Sequence, residues 1–142
     1  MLFRSTLSVA RLQQRLLDAN RPPRVMPTRV DPAAIRGHFG DSGEDCVREF
    51  RAKAIDAEEA ERLNERLDDS WPALRGALAA VHIAEAKLDA ALAKVGAPRR
   101  PRELGWSDAF FRTAVIHARQ IRNRYTCLDL IDDSAGLGAW LA

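Results

Sequence analysis

The chain has 142 residues and a mass of 15.8 kDa, one domain's worth of sequence. It is 46% hydrophobic but only 6% aromatic, and it contains 24 Ala and 16 Leu, the strongest helix formers, which nearly excludes an all-β fold. The 22 basic and 20 acidic residues leave a net charge of +2, which makes no electrostatic case for nucleic acid although the pI is 8.8. No apolar run approaches the roughly 18 residues of a membrane span. Two cysteines cannot make a disulfide scaffold, so Cys46 and Cys127 read as small buried hydrophobes in a reducing cytoplasm.

Residues 1–24 hold five arginines and one acid, Asp18. That is the profile of an organellar transit peptide, and equally of an amphipathic helix carrying Leu2, Phe3, Leu7, Val9, Ala10, Leu16 and Leu17. The structural helix is the expectation. Asn20, Pro22 and Pro23 stop it, and residues 20–30 form a connector. Asp31-Pro32 opens a short helix, with Asp as N-cap and Pro at the first helical position, and Gly37 or Gly40 closes it. Asp41 or Ser42 starts the next segment, with Cys46, Val47 and Phe50 on one face. Asp56, Glu58 and Glu59 sit where a helix N-terminus favours acids, and that helix runs to about Asp69.

Ser70-Trp71-Pro72 predicts a break. Beyond it Leu74, Leu78, Val81, Glu85, Leu88, Leu92 and Val95 recur in alternating steps of four and three, predicting one central helix over 74–95. Glu85 is the polar member, expected at the edge of the stripe with Ala84 filling the face. Gly96 is a left-handed cap, and Pro98 and Pro101 prevent resumption. Ser107-Asp108 caps the last long helix, with Phe110, Phe111, Ala114, Val115, Ala118 and Ile121 as its apolar face. Thr126 caps a short helix holding Leu128, Leu130 and Ile131; Gly136 and Gly138 end it, and Trp140-Leu141 form a docking tail. The expected fold is all-α, a single domain of six to eight helices in a compact bundle.

Local chemistry is sparse. Gly37, Gly40 and Gly43 follow no strand, so they make no phosphate-binding fingerprint. His38, His82 and His117 lie in separate segments, with none at i+3 or i+4 from another, so no local metal face exists. Cys127 and His117 are ten residues apart and cannot touch within one straight helix. Asp129, Asp132 and Asp133 read as a solvated helix surface rather than a metal site. Arg119, Arg122 and Arg124 read as a helix C-terminus with a dense charge network, although Arg is also the preferred partner of phosphate and carboxylate.

The run from Ile121 through Arg122, Asn123, Arg124, Tyr125, Thr126, Cys127, Leu128, Asp129 and Leu130, with Gly136-Leu137 behind it, resembles the C-terminal end of sn-glycerol-1-phosphate dehydrogenases. Gly96-Ala97-Pro98 with Pro101, Leu104-Gly105 and Ser107 resembles that family's loop before its last long helix. Trp71 with Leu74, and Pro22-Pro23 leading to Asp31, fit as well. The family belongs with the iron-containing alcohol dehydrogenases and dehydroquinate synthases. The resemblance implies the helical C-terminal third of a two-domain oxidoreductase that reduces dihydroxyacetone phosphate with NAD(P)H. A divalent metal (zinc, iron or nickel) held by an Asp and two His polarises the substrate. His38, His82 and His117 do not fall at the metal-binding positions, and the cofactor domain has no counterpart here. The motif residues Arg122, Arg124, Tyr125, Thr126 and Asp129 carry over with a structural or anion-binding role.

Three readings follow. The chain is a truncated or separately encoded domain, inactive alone; or one piece of a split enzyme completed by a partner chain; or a helical binding module without redox activity. The resemblance also predicts an uncovered N-terminal helix, with Leu2, Phe3, Leu7 and Val9 driving self-association or docking of a cofactor-domain partner. The alternative is that this helix folds back and buries its stripe.

Overall fold

The computed structural model describes the backbone of residues 3–140 and the side chains of residues 6–138. Among the described residues every regular element is helical: α1 (Phe3–Asp18), α2 (Pro32–Phe39), α3 (Gly43–Arg51), α4 (Ala57–Val81), α5 (Glu85–Lys94), α6 (Asp108–His117), α7 (Cys127–Ala135) and α8 (Leu137–Trp140). Short 3₁₀ turns cover Gly40–Ser42, Pro101–Leu104 and Ala118–Ile121. No described helix is long and apolar enough to cross a membrane. The helices gather into two compact units, one of residues 1–22 and 68–115, the other of residues 23–67 and 116–142.

Local sequence signals place most helix ends. The Asp31 side chain accepts from the Ala34 amide at 3.0 Å, with Pro32 in the first turn. Asp56 and Glu59 satisfy each other's backbone amides at 2.8 and 3.1 Å, a reciprocal capping box that opens α4. Thr126 and Asp129 form another at the head of α7. Gly96 takes a φ of 66° after α5, its amide bonding the Ala93 carbonyl while the Ala97 amide reaches back to that of Leu92. That pair of bonds is the Schellman closure a left-handed glycine permits.

In the unit of residues 23–67 and 116–142, Ile35, Cys46, Val47 and Phe50 form a buried cluster with Val30 and Phe39 packed on it. The predicted face of α3 is therefore the core face. Gly43 is buried where α3 begins, and a Cβ there would lie 2.6 Å from Arg36 Cα, so only glycine allows this approach of α2 to α3.

In the other unit α1 lies along α5. Leu7, Ala10, Leu12, Leu16 and Leu17 of α1 are buried, as are Trp71, Pro101 and Val115. The uncovered stripe expected on the N-terminal helix is thus absent at Leu7, because the helix folds back and spends its apolar face internally. The side chains of Leu2, Phe3, Trp140 and Leu141 lie outside the described residues, and with them the proposed docking tail.

Other expectations need correction. Ser70-Trp71-Pro72 does not break the chain: α4 runs through Pro72 as one helix of 25 residues. A proline deletes one helical hydrogen bond but its φ suits the helix, and buried Trp71 beside it anchors the turn. The break falls instead at residues 82–84, where neither Gly nor Pro marks it, and Ala84 turns extended at ψ 141°. Tertiary docking sets this bend, because the new helix α5 starts on Glu85, which pairs with Arg11 of α1. The 74–95 stripe is consequently neither continuous nor central. Leu74, Leu78 and Val81 are exposed, Val81 at 75%, and so is Val95. The apolar face of the last long helix is also only part of the core: Val115 is buried, but Phe110 is 55% exposed and Ile121 is exposed too. That helix ends as α at His117 and tightens to a 3₁₀ turn. Gly136 ends α7 as expected, while Gly138 lies inside α8.

Candidate functional site

Of the resemblance motif, Asp129 lies in the interior of its unit, Tyr125 is half-buried, and Arg122, Arg124 and Thr126 are exposed. Asp129 is fully buried, and Lys53 Nζ lies 2.6 Å from its Oδ1, with Arg119 Nε 3.1 Å from the same oxygen. The Arg119 contact is a charge pairing without hydrogen-bond alignment. Asp129 Oδ2 accepts from both the amide and the hydroxyl of Thr126 at 2.8 Å. Arg119 also donates to Asp132 and, at 2.9 Å, to Asp133. The second oxygen of Asp133 accepts from the Thr28 hydroxyl at 2.7 Å and the Tyr125 hydroxyl at 3.1 Å. Lys53 spends its remaining donors on the backbone carbonyls of Arg119 and Arg124. The Phe50 ring lies beneath both cations, 4.9 Å from the Arg119 guanidinium and 5.4 Å from Lys53 Nζ.

The expectation of a solvated acidic surface at Asp129, Asp132 and Asp133 is therefore wrong for two of the three, since Asp129 and Asp133 are buried. Their ordinary surface pattern at α7 gave no sign of Lys53, 76 residues upstream of Asp129. Of the predicted arginine cluster, Arg119 enters the network, whereas Arg122 and Arg124 are exposed. Tyr125 is held protonated far above its usual range, first by burial and then by the Asp133 charge, so it serves as a hydrogen-bond donor. The charges of this network are paired with one another, and its buried members, Lys53, Arg119, Asp129 and Asp133, present little surface to a ligand. Sequence reading also missed Asn64, whose buried amide clamps both backbone groups of Val25 at 2.8 and 2.9 Å and so fixes the connector.

The histidines regroup as well. His38 and His117, distant in sequence, stack with ring centroids 3.7 Å apart and planes 17° apart, and Phe39 meets His38 edge-on. Burial, then the His117 ring, lowers the His38 pKa. Imidazole lone pairs lie in the ring plane, so stacked rings do not converge on one ion. His117 Nδ1 is engaged by Gln120 Oε1 at 2.8 Å. Among the described residues no three His, Cys, Asp or Glu are arranged to hold a metal. The donor set that the dehydrogenase resemblance requires does not fit the residues present.

An open polar cleft lies in the unit of residues 1–22 and 68–115. It has a volume of about 310 Å³ and is lined by Leu7, Ser8, Arg11, Glu85, Asp89, Arg99 and Arg100. Leu7, Ser8 and Arg11 share one face of α1 by their spacing, and Glu85 and Asp89 share one face of α5. Arg99 and Arg100 come from the stretch between the Gly96 cap and the 3₁₀ turn at Pro101. Arg11 grips Glu85 through Nε at 2.9 Å and through a second donor, which raises the arginine's pKa and lowers that of the carboxyl. Arg99 Nη1 donates to Asp89 at 3.0 Å. Arg100 makes no ion pair among the described residues. Three guanidiniums and two carboxylates line the cleft, and a third carboxylate, Glu103, lies behind the loop, where the Arg99 amide and then the charges of Arg99 and Arg100 lower its pKa. Glu85 opens α5 half-buried with a tertiary partner, and Ala84, exposed and outside the helix, does not fill the face as expected. The local signal for this cleft was the Arg99-Arg100 pair outside any helix; nothing in the sequence placed Arg11 opposite it.

No family model, curated protein or solved structure matches this chain.

Proposed function

We propose that the chain is a helical binding module whose ligand is a small organic anion held in the cleft of Arg11, Arg99 and Arg100. The observation that carries this reading is the supply of guanidinium donors: Arg11, Arg99 and Arg100 line one cleft, and Arg100 makes no ion pair among the described residues. Small-ligand pockets begin at roughly 300 Å³, so the cleft suits a compact molecule. Calorimetry at low ionic strength with citrate and inorganic phosphate tests it. Saturable binding that weakens with added salt and vanishes in an Arg99→Ala/Arg100→Ala variant is expected, and no binding of either anion overturns the reading.

A second reading keeps the resemblance: the helical portion of a glycerol-1-phosphate dehydrogenase-like protein, truncated or split. It is favoured by the way Tyr125, Thr126 and Asp129 tie a capping box to a buried charge network, a structural role that a family signature can carry. On this reading the chain alone oxidises no NADH with dihydroxyacetone phosphate and Zn2+, and turnover is gained on adding a nucleotide-binding chain. Turnover by the chain alone excludes the inactive-domain version.

A further inference from the structure

We infer that the arginine cleft selects a phosphate monoester over a carboxylate, with Arg100 as its main reader and Glu85 and Asp89 as resident anions that hold Arg11 and Arg99 in place. The inference rests on the anion-binding reading and sharpens it to one chemical class.

The first argument is donor supply. Among the described residues the Arg100 guanidinium makes no ion pair, although its charge acts on Glu103, and the Arg99 guanidinium commits Nη1 to Asp89. Arg11 commits Nε and Nη2, to Glu85. The unused donors therefore come from three guanidiniums on two separate segments, α1 and the 99–100 stretch. A carboxylate holds its acceptor lone pairs in one plane, so it takes one guanidinium fork along its edge and further donors only in that plane. A phosphate monoester offers three terminal oxygens around a tetrahedral centre and accepts forks from several directions.

The second argument is rigidity. Glu103 Oε2 accepts the backbone amides of Arg99 at 2.6 Å and Arg100 at 3.3 Å. These bonds pin the stretch, and they also remove its amides from use as an anion nest, so recognition falls to the side chains. The Gly96 closure fixes the preceding end of the same stretch. A held backbone lowers the ordering cost of binding.

The third argument is charge. The three lining guanidiniums attract a dianion, while Glu85, Asp89 and, behind the loop, Glu103 oppose it. Neutralising Glu85 as Gln keeps an acceptor for Arg11 and removes the opposing charge, so that change tightens binding. A phosphate monoester gains its second charge near pH 6, so its affinity rises from about pH 5 to about pH 7. Across that window the arginines stay charged, and Arg11 holds the Glu85 carboxyl below the usual carboxylate range. The groups facing the ligand are Ser8 and Arg11 from α1, Glu85 and Asp89 from α5, and Arg99 and Arg100 from the loop, with Glu103 behind it.

Phenyl phosphate and benzoate, which share a ring and differ in the anionic head, decide the matter by calorimetry on the full chain, with inorganic phosphate as a third probe. The expected result is at least roughly 10-fold tighter binding of phenyl phosphate than of benzoate. Arg100→Ala weakens phenyl phosphate by roughly 10- to 100-fold, the range for a charge-assisted hydrogen bond. Glu85→Gln tightens it several-fold, and Arg62→Ala, outside the cleft, leaves it unchanged. Circular dichroism of each variant confirms that the helices persist. Equal affinity for benzoate overturns the phosphate assignment while the anion-binding reading stands. Binding by inorganic phosphate alone overturns the monoester assignment. Failure of all three probes overturns both.

Discussion

Asp129 is the buried carboxylate on which two cations converge. Its side chain is 1% exposed and faces Lys53 and Arg119, whose side chains are 3% and 2% exposed. Removing one member of a buried ion cluster leaves the others desolvated without compensation. Asp129→Asn should therefore cost about 3–5 kcal/mol, read as a shift of the urea midpoint at constant slope. Two glycines give a contrasting pair. Gly43→Ala forces a methyl against the Arg36 backbone and should destabilise by about 1–3 kcal/mol. Gly37→Ala, with nothing within 4 Å and an α2 backbone, should be neutral or stabilising by up to about 1 kcal/mol. His38 gives a pH dependence. Its pKa lies below the ordinary 6.5, first through burial and then through His117. The unfolded chain therefore takes up the proton first, so this contribution is full above about pH 6.5 and is lost as pH falls toward the lowered folded value. Thermal midpoints should fall more between about pH 7 and about pH 5 in the wild type than in His38→Gln.

At the scale of elements, α4 carries a proline that its own sequence argues against. Pro72 is exposed and interior, and it lacks the amide that would bond the Asp68 carbonyl. Pro72→Ala should raise stability by about 1–3 kcal/mol, measured by chemical unfolding. A loss instead would mean that the proline shapes α4 in a way the native packing needs. The helix ends that were legible in the sequence, at Asp31, Asp56, Gly96 and Thr126, all involve hydrogen bonds between residues three to five apart. The bend at residues 82–84 was not legible, because its cause is the docking of α5 along α1 through Glu85 and Arg11, 74 positions apart. The same limit hid the exposure of Val81 and Val95. A periodic stripe states which side of a helix is apolar, and only the neighbours decide whether it is covered.

For the whole molecule, chain order and spatial order differ. Each compact unit is assembled from two separated stretches, and the chain passes between units after Pro22, within α4 and within α6. Lys53, on the stretch 23–67, finds Asp129 and the Arg119 carbonyl only on the stretch 116–142. A fragment of residues 23–67 should therefore lose most of its helix by circular dichroism. A mixture with residues 116–142 regains it only if the two stretches suffice. Retention of native helicity by the 23–67 fragment alone would show that the charge network is dispensable to the fold.

The sequence by itself determined the helical class, through Ala and Leu content, apolar periodicity and capping residues, since these act within one or two turns. It also determined the face of α3, because Cys46, Val47 and Phe50 leave that short helix one apolar side. Tertiary structure decided the rest. It turned three acids at 129–133 into partners of Lys53 and Arg119, stacked His38 on His117, and set Arg11 across from Arg99 and Arg100. Those groups are joined by chain folding over tens of residues, and a charge's role depends on what approaches it, which no local spacing records.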